Sequence, residues 1–555
     1  MKKSVSGTLF DPIRKISYGA IVFISKNGRI SEIIPDNNPD PVFIIPGFVD
    51  AHVHIESSML TPAAFANAAS RHGTIAAVAD PHEIANVLGI EGVRLMIRMA
   101  KQTPFVFGFG APSCVPSTPF ETAGAELDIE DIRTLLKMRE ITHLAEMMDF
   151  PGVIRGAPGV LEKLQAARDL NKPIDGHAPG LSGEELKKYI AAGVTTDHES
   201  LSFAEAAEKI NNGMTIMLRH GSAAAHYEHL LPLIARHPES CMFCSDDKHP
   251  DDLLNGHINT MAATAYRKGI SIHSIIQAAC VNPVQHYKLP VGLLQLDDPA
   301  DFILVDNFNT FRPLEVWMKG ECVVKNRISA LPLGIPEIKN NFHALPISWK
   351  ALQIPSKKGY RINVIKVNEG TLITNCLVAD PKVEDGLIVN DIENDIIKLV
   401  VYNRYHPSKP AMAFITGLGI KRGAIASSVA HDSHNIIAAG TSDVAIITAI
   451  NEVIAHQGGL SVTSDNARVI AVLPLPLAGL ISPEPIEAVA RQYSDCDRLA
   501  KMLGSPLKAP FMALSFMALP VIPELKLTDK GLFDVNTFTH IDLLTKKKAT
   551  GIAQS

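Results

Sequence analysis

Eight short apolar runs, separated mostly by stretches with helical spacing, occupy much of the first half of this 555-residue chain. The runs cover residues 47–54, 74–80, 105–113, 142–147, 173–177, 193–198, 214–218 and 241–246. The stretches with helical spacing and charge include 129–139, 159–170, 183–192 and 203–211. Because strands alternating with helices are typical of parallel barrels, the pattern predicts an α/β fold, a (β/α)8 TIM-type barrel.

The segments on either side of this predicted barrel carry strand patterns of their own. From residue 17 to 35, two apolar alternations flank Lys26-Asn-Gly28, which is a good hairpin signal. Residues 300–306, 313–320 and 319–325 again read as strands. We therefore expect one small β domain formed by residues 1–46 plus 288–343, with the barrel, residues 47–287, inserted between its two parts.

Beyond the second flank the composition changes. Residues 361–368, 396–402 and 412–416 have strand patterns, and helical patterns follow at 442–456 and 486–503. These elements predict a C-terminal α+β domain, residues 344–555.

Charge and cysteine content narrow the class of protein. The net charge is −6, there is no long Lys/Arg run, and aromatic residues make up only 6% of the chain, so we expect no nucleic-acid partner. The apolar stretches near 435–455 and 470–481 are interrupted by charged residues or prolines, so we expect no membrane partner. Seven cysteines and an N-terminus without an apolar leader predict a cytoplasmic protein with reduced thiols.

Residues that can bind metals or protons stand at the ends of six of the eight predicted strands. In barrels of this kind the chemistry lies at the carboxyl ends of the strands. Singly, each residue has an ordinary explanation, such as Asp246 capping a helix, but chance seldom produces the whole set. These strand-end residues are His52, His54, Asp80, Glu146, His177, His198 and Asp246.

This set suits two divalent ions. The predicted ligands are His52, His54 and Asp246 for one ion, His177 and His198 for the other, and Glu146 as the bridge. Two close metals lower the pKa of a shared water, and a carboxylate beside that water can carry its proton to the leaving group. Asp246 is the candidate for that role, and Glu146 and Glu83 are the other candidate catalytic carboxylates.

A further site is a second possibility that the sequence leaves open. Asp80 and His82 follow strand two, and His431 and His434 lie far along the chain in the third domain, from which they could reach the barrel mouth. Equally, Asp80 could cap the next helix, and the two histidines could be a structural pair.

Other zinc patterns fit poorly. His54-Ile-Glu56 and Cys241-Met-Phe-Cys244 imitate the signature of cytidine-deaminase-type enzymes, but Ser240 stands where a proline is expected. His82-Glu83 does not continue as a zincin motif, and a structural zinc site lacks a second cysteine pair nearby.

Several motifs together carry a family resemblance. They are PGFVDAHVH (46–54), HIESSM (54–59), ADPHEIAN (79–86), DGHAPG (175–180), TTDHE (195–199), CSDDKH (244–249), AHDSHN (430–435) and MALSFMALP (512–520). The chain resembles the bacterial adenine deaminases of the amidohydrolase superfamily, which are metallo-dependent hydrolases. Glu146 stands where related enzymes often carry a carboxylated lysine, and this matches the adenine deaminase pattern.

The resemblance implies two divalent metals, manganese or iron, with zinc as the alternative. It also implies hydrolysis of adenine to hypoxanthine and ammonia in purine salvage, with a small purine base as the substrate, and we expect a homo-oligomer. The segment before the hairpin is short for the family, so the small β domain is expected to be incomplete. The alternatives are an amidohydrolase acting on a different base or a cyclic amide, and a non-catalytic scaffold relative, although such relatives tend to lose ligands.

Overall fold

The computed structural model describes residues 3–222 and 227–547. The chain begins with four strands: β1 (Lys3–Asp11), β2 (Ile16–Ile24), β3 (Ile30–Pro35) and β4 (Phe43–Pro46). β2 and β3 form the predicted hairpin, and Gly28 in its turn has a φ of 76°, which favours glycine. β1 pairs with β2 along its whole length. Its sequence pattern does not reveal it, because serine, glycine and threonine occupy several of its positions.

The predicted barrel is confirmed, with one strand in each of the eight apolar runs. The strands are β5 (Phe48–Val53), β6 (Thr74–Ala79), β7 (Val106–Ala111), β8 (Ile141–Met147), β9 (Ile174–Gly176), β10 (Thr196–Asp197), β11 (Thr215–Arg219) and β12 (Cys241–Cys244). β5 to β9 pair in parallel in chain order, and so do β10 to β12. The N–H of Thr195 donates to the carbonyl of Ile174 at 2.9 Å, and the N–H of Asp246 donates to the carbonyl of His52 at 2.9 Å. These two bonds close the ring.

Helices connect and follow the strands of the barrel. They are α1 (Pro62–Ser70), α2 (His82–Leu88), α3 (Ile90–Ala100), α4 (Ile129–Leu136), α5 (Phe150–Arg155), α6 (Pro158–Asp169), α7 (Gly183–Ala191), α8 (Phe203–Asn211), α9 (Pro232–Arg236), α10 (Pro250–Asn255), α11 (Ile258–Arg267), α12 (Ile272–Ile276) and α13 (Asn282–Tyr287). Local sequence sets several starts. Asp128, for example, accepts the N–H groups of Glu130 and Asp131 and so caps α4. Short 3-10 turns lie at Ile55–Ser58, Tyr227–His229 and Pro238–Ser240, and a π-helical turn lies at Gln277–Val281.

The two flanks of the barrel join in one sheet. The second flank supplies β13 (Phe302–Val305), β14 (Pro313–Met318), β15 (Glu321–Lys325) and β16 (Ile328–Ser329). β13 runs antiparallel to β4, and the sheet order is β16-β15-β14-β13-β4-β1-β2-β3. The residue boundaries of the three domains stay a prediction.

The last part of the chain is built around a second large sheet. Its elements are β17 (Tyr360–Val367), β18 (Thr374–Ala379), β19 (Val383–Glu384), β20 (Leu387–Ile388), β21 (Ile397–Tyr402), β22 (Ala411–Thr416), β23 (Ala424–Ser427), β24 (Ile436–Gly440), α14 (Asp443–Ala455), β25 (Gly459–Thr463), β26 (Val469–Pro474), α15 (Ile486–Met502), α16 (Pro510–Ser515), β27 (Leu525–Thr528), β28 (Gly531–Asp534), β29 (Thr539–His540) and β30 (Leu544–Lys546). The sheet order is β18-β17-β22-β21-β24-β23-β25-β26, with β30 on β17. Short 3-10 turns lie at Trp349–Leu352 and Phe516–Ala518.

Both faces of this second sheet are buried at β21, in its middle. On β21, Leu399 and Val401 belong to the large core that also holds the barrel residues, whereas Val400 and Tyr402 belong to a separate core beneath α14. Alternate residues of a strand point to opposite faces, so one strand contributes to both cores. The C-terminal domain is thereby packed against the barrel. None of the helices in residues 3–222 and 227–547 has the length and apolar character needed to span a membrane.

Candidate metal centre

Two imidazoles at the end of β5 point into the barrel mouth. His52 and His54 are buried, and their Nε2 atoms lie 3.3 Å apart. The Nδ1 atom of His54 lies 3.1 Å from the carbonyl oxygen of Asp80. Since a carbonyl only accepts, Nδ1 carries a proton, and Nε2 is the ring nitrogen that faces the cluster.

Barrel closure brings Asp246 to the same point. Because its backbone N–H binds the carbonyl of His52, Asp246 is fixed beside β5. Its Oδ1 atom lies 3.4 Å from Nε2 of His52 and 3.2 Å from Nε2 of His54. The three side chains expected to share one ion therefore meet.

Glu146, near the end of β8, lies between the two predicted halves of the site. Its Oε2 atom is 2.7 Å from Nδ1 of His177 and 3.2 Å from Nε2 of His198. Its Oε1 atom is 3.4 Å from Nε2 of His54 and 3.4 Å from Nδ1 of His82. Each oxygen thus faces a different group of imidazoles, which is the geometry that a bridging carboxylate needs.

The spacing of these atoms fits a shared cation. Ligand atoms about 2.1 Å from one metal lie roughly 3 to 3.5 Å apart. Contacts of 3.2 to 3.4 Å join His52, His54 and Asp246, and their ligand atoms form one compact group. Imidazole and carboxylate donors suit manganese, iron and zinc.

The carboxylates of the cluster are held ionised. Burial opposes ionisation of Glu146, but His177 and His198 outweigh it, so the pKa of Glu146 lies well below its ordinary value. Burial lowers the pKa of His52, which is therefore neutral at pH 7. Burial also opposes protonation of His198, yet Glu146 raises its pKa to about 9. Metal binding must therefore displace a proton from His198.

Comparison with known proteins identifies the family. Residues 43–325 match the Amidohydrolase family, and residues 371–539 match the Adenine deaminase C-terminal domain. An adenine deaminase of Salinibacter ruber is 47% identical over 541 residues, which cover 97% of this chain and 98% of that protein. The chain belongs to the adenine deaminase family. An archaeal member from Methanosarcina mazei is 46% identical over 98% of this chain and 99% of its own length, and one from Borreliella burgdorferi is 44% identical over 97% and 99%.

Membership of the amidohydrolase family implies that divalent metal binds at the buried cluster. The roles of the individual ligands stay predictions. In the barrel of this adenine deaminase family member, the structure brings together all six residues predicted to hold the two ions. These are His52, His54, Glu146, His177, His198 and Asp246.

Two residues beside the cluster were not predicted. Arg219, the last residue of β11, donates from Nη1 to Oδ2 of Asp246 at 2.7 Å and also pairs with Glu199. Oε1 of Glu199 lies 3.7 Å from Nε2 of His198. Their positions in the sequence could have indicated both residues. Glu199 directly follows His198 at the end of the sixth apolar run, and Arg219 directly follows the seventh.

The residues of the possible further site also meet, at the edge of the metal centre. Asp80 accepts the N–H of His82 at 3.1 Å, and its Oδ2 atom lies 3.3 Å from Nδ1 of the same histidine. It therefore supports the start of α2 and faces the cluster at once. Glu83 contacts His431 and His434 of the C-terminal domain.

The cysteine pair belongs to the barrel wall. Cys241 and Cys244 are buried in β12, and the thiol of Cys244 donates to the carbonyl of Leu218 at 3.5 Å. Burial raises the pKa of Cys244 well above its ordinary value. A thiol in this state is a poor metal ligand, so the cytidine-deaminase-type alternative has no support here.

A cavity of about 830 Å³ opens above the cluster, between the barrel and the C-terminal domain. Such a volume lies within the range of small-molecule sites, which run from roughly 300 to 1,000 Å³. Its floor carries the metal-binding side chains. Its apolar wall comes from the C-terminal domain and includes Leu507, Met512, Phe516 and Leu519.

Proposed function

We propose that this chain hydrolyses adenine to hypoxanthine and ammonia at the buried cluster. The observation that carries the proposal is the meeting of four histidines, Glu146 and Asp246 at the floor of a cavity of small-molecule size. The wall of that cavity belongs to the segment that matches the adenine deaminase C-terminal domain. Relatives named adenine deaminase align over nearly the whole chain.

The donor set supports two divalent ions, Mn2+ or Fe2+, with Zn2+ as the alternative. In this proposal one ion is held from β5 and β12 and the other from the ends of β9 and β10. The ligands are His52, His54 and Asp246 for the first ion, His177 and His198 for the second, and Glu146 for both. When bound there, the ions would supply Lewis acidity, which would lower the pKa of the attacking water and polarise the bond under attack.

The side chains of the barrel then move the protons. Asp246 takes the proton of the water that attacks C6 of the ring and delivers it toward the departing amine. Its pairing with Arg219 keeps it ionised and fixes its orientation. Arg219 also pairs with Glu199. In this proposal Glu199 is a second carboxylate beside His198, close to where the adenine ring binds.

The C-terminal domain supplies the apolar wall of the cavity. Met512 and Phe516 give the planar base an apolar surface, and they exclude bulk water from the reacting atoms. Exclusion of water strengthens each electrostatic contact inside the site. The homo-oligomeric assembly and the cytoplasmic location expected from the sequence stay predictions.

A substrate panel tests this proposal. The protein is loaded with Mn2+ or Fe2+, ammonia release is measured with adenine, adenosine and cytosine, and ring opening, which releases no ammonia, is followed by chromatography with a cyclic amide such as dihydrouracil. We expect release from adenine alone. Turnover of cytosine or ring opening of the amide, with adenine inert, would favour a different amidohydrolase activity, and no turnover of any compound would favour a scaffold.

A further inference from the structure

A second buried cluster lies beside the metal centre, at the junction of the barrel and the C-terminal domain. At its middle is Glu83, on α2 of the barrel. Its Oε1 atom lies 2.7 Å from Nδ1 of His431, and its Oε2 atom contacts Nε2 of His434. All three side chains are buried. Each carboxylate oxygen of Glu83 therefore faces its own imidazole from the other domain.

Two more donors complete this cluster. The Nε2 atom of His82 lies 3.5 Å from Oε1 of Glu83. One oxygen of Asp432, one of Glu83 and one ring nitrogen of His82 all lie within 4.8 Å of one another. The cluster thus offers three imidazoles and two carboxylates, all on buried residues, beside the cavity.

Several of these polar atoms lack hydrogen bonds among the residues that the structure describes. They are Oε2 of Glu83, Oδ2 of Asp432, and both ring nitrogens of His434. Although Nε2 of His434 contacts Oε2 of Glu83, the two do not have the geometry of a hydrogen bond. A buried polar group left without a hydrogen bond is costly, and Oε2 of Glu83 and Nε2 of His434 face each other, so this pair of atoms calls for a shared ligand.

The loop that carries the two histidines is held in place by contacts of its own. The hydroxyl of Tyr405 donates to the carbonyl of Ser433 at 2.6 Å, and Nδ2 of Asn435 donates to the carbonyl of Thr122 at 2.8 Å. The ring of His431 stacks on Phe516 with 4.5 Å between centroids. These contacts fix the donor positions independently of any ion, as preorganised metal sites require.

We infer that Glu83, His431 and His434 bind a further divalent cation, with His82 and Asp432 as additional donors. Mixed imidazole and carboxylate donors suit manganese, iron or zinc. The ion joins the barrel to the C-terminal domain, because its ligands come from both. It makes Glu83 a ligand rather than a carrier of protons in the reaction.

His82 couples this site to the metal centre. Its Nδ1 atom lies 3.4 Å from Oε1 of Glu146, while its Nε2 atom faces Glu83. One imidazole ring therefore spans the space between the bridging carboxylate and the further site. Binding of this ion does not depend on the substrate, since all of its donors belong to the protein.

Metal counting tests the inference. The purified protein is stripped with a chelator, dialysed against Mn2+ and analysed for bound manganese per chain. We expect three ions in the wild type, two in His434→Ala, and three in the control His456→Ala, which removes a histidine at the end of α14 that pairs with Glu452. Two ions in the wild type, or three in a folded His434→Ala variant, would overturn the inference.

A second variant guards against a folding defect. Glu83→Gln keeps the shape of the side chain and removes its charge, so it is expected to bind two ions while giving the circular dichroism spectrum of the wild type. A folded Glu83→Gln protein with three ions contradicts the inference, and the wild-type count decides the matter if neither variant folds. Adenine turnover is recorded separately. Three ions without turnover would refute the proposed function and leave the further site standing.

Discussion

Arg219 and Asp246 form an ion pair at the edge of the metal centre, with 2.7 Å between Nη1 and Oδ2. The other oxygen of Asp246 faces His52 and His54. Burial opposes ionisation of Asp246, but Arg219 and the imidazoles outweigh it, so its pKa lies well below its ordinary value. The carboxylate is thus held ionised, which is the state that metal binding requires and from which it can take a proton.

Replacing Asp246 with asparagine removes the proposed proton carrier and one anionic ligand while keeping the shape of the side chain. We expect adenine turnover to fall by about 100-fold or more, the usual range for a general acid–base group. The measurement is kcat for ammonia release, with circular dichroism to confirm the fold. Asp306→Asn, at an exposed site, serves as the control. Activity close to wild type in Asp246→Asn would exclude this residue from the reaction.

Arg219→Met tests the electrostatic role of the ion pair. Without the guanidinium, the pKa of Asp246 rises, because burial then acts with less opposition. Protonated Asp246 persists to higher pH, so the acidic limb of kcat/KM against pH moves upward. Arg219→Lys keeps a positive charge and should move the limb less. An unchanged profile in Arg219→Met would show that Arg219 does not set the pKa of Asp246.

Glu146→Gln is expected to weaken metal binding by at least roughly 10- to 100-fold, the loss seen even for residues that only support ligands. Glu146 contacts imidazoles with both oxygens, and a neutral amide replaces only part of that interaction. Equilibrium dialysis with Mn2+ measures the affinity. The matched control is Glu140→Gln, just before the same strand, where the side chain pairs with Lys101 on the surface. Equal affinities in the two variants would contradict the bridging role.

Lys209→Met tests the support behind His198. Lys209 and Asp197 form a fully buried ion pair of 2.8 Å. Removing one member of such a pair costs roughly 3–5 kcal/mol, and we expect a loss of that size in the free energy of unfolding in urea near neutral pH. Lys187→Met, which breaks an exposed ion pair with Glu184, should change the free energy of unfolding little.

The pH dependence of that loss has a defined sign. Burial raises the pKa of Asp197, but Lys209 outweighs it and the net pKa is lowered. In the wild type this pair therefore stabilises the fold above the unfolded pKa of about 3.9 and loses its effect as the pH falls through the lower, folded pKa. In Lys209→Met the pKa of Asp197 is raised instead. Protonation of Asp197 at lower pH then removes the unpaired buried charge and with it part of the loss in the free energy of unfolding. The difference between the two proteins should be smaller at about pH 5 than at pH 7, and a constant difference would argue against a charged Asp197.

The barrel and its strand-end ligands could be read from the sequence because both depend on local patterns. Apolar runs mark buried strands, and strand ends in a barrel converge on one mouth. Arg219 was missed for a local reason too. A charged residue ends an apolar run, so the predicted strand stopped at Leu218, one residue short of the observed end.

The contacts between the C-terminal domain and the barrel could not be predicted from such local patterns. The motif at 430–435 shows two histidines, yet nothing near them in the chain indicates that Glu83 lies between them. Such a contact depends on how the C-terminal domain packs on the barrel, and that is decided by interdigitating core residues far apart in sequence. The same limit applies to the apolar wall formed by Met512 and Phe516.

The most direct test of the central claim is the appearance of hypoxanthine when metal is returned to the stripped protein. Adenine is incubated with the apo-protein and with protein reloaded with Mn2+, and the product is followed by chromatography together with ammonia. We predict no turnover by the apo-protein and rapid, stoichiometric formation of hypoxanthine and ammonia after reloading. Absence of hypoxanthine at every loading with Mn2+, Fe2+ or Zn2+ would contradict the claim that this cluster deaminates adenine.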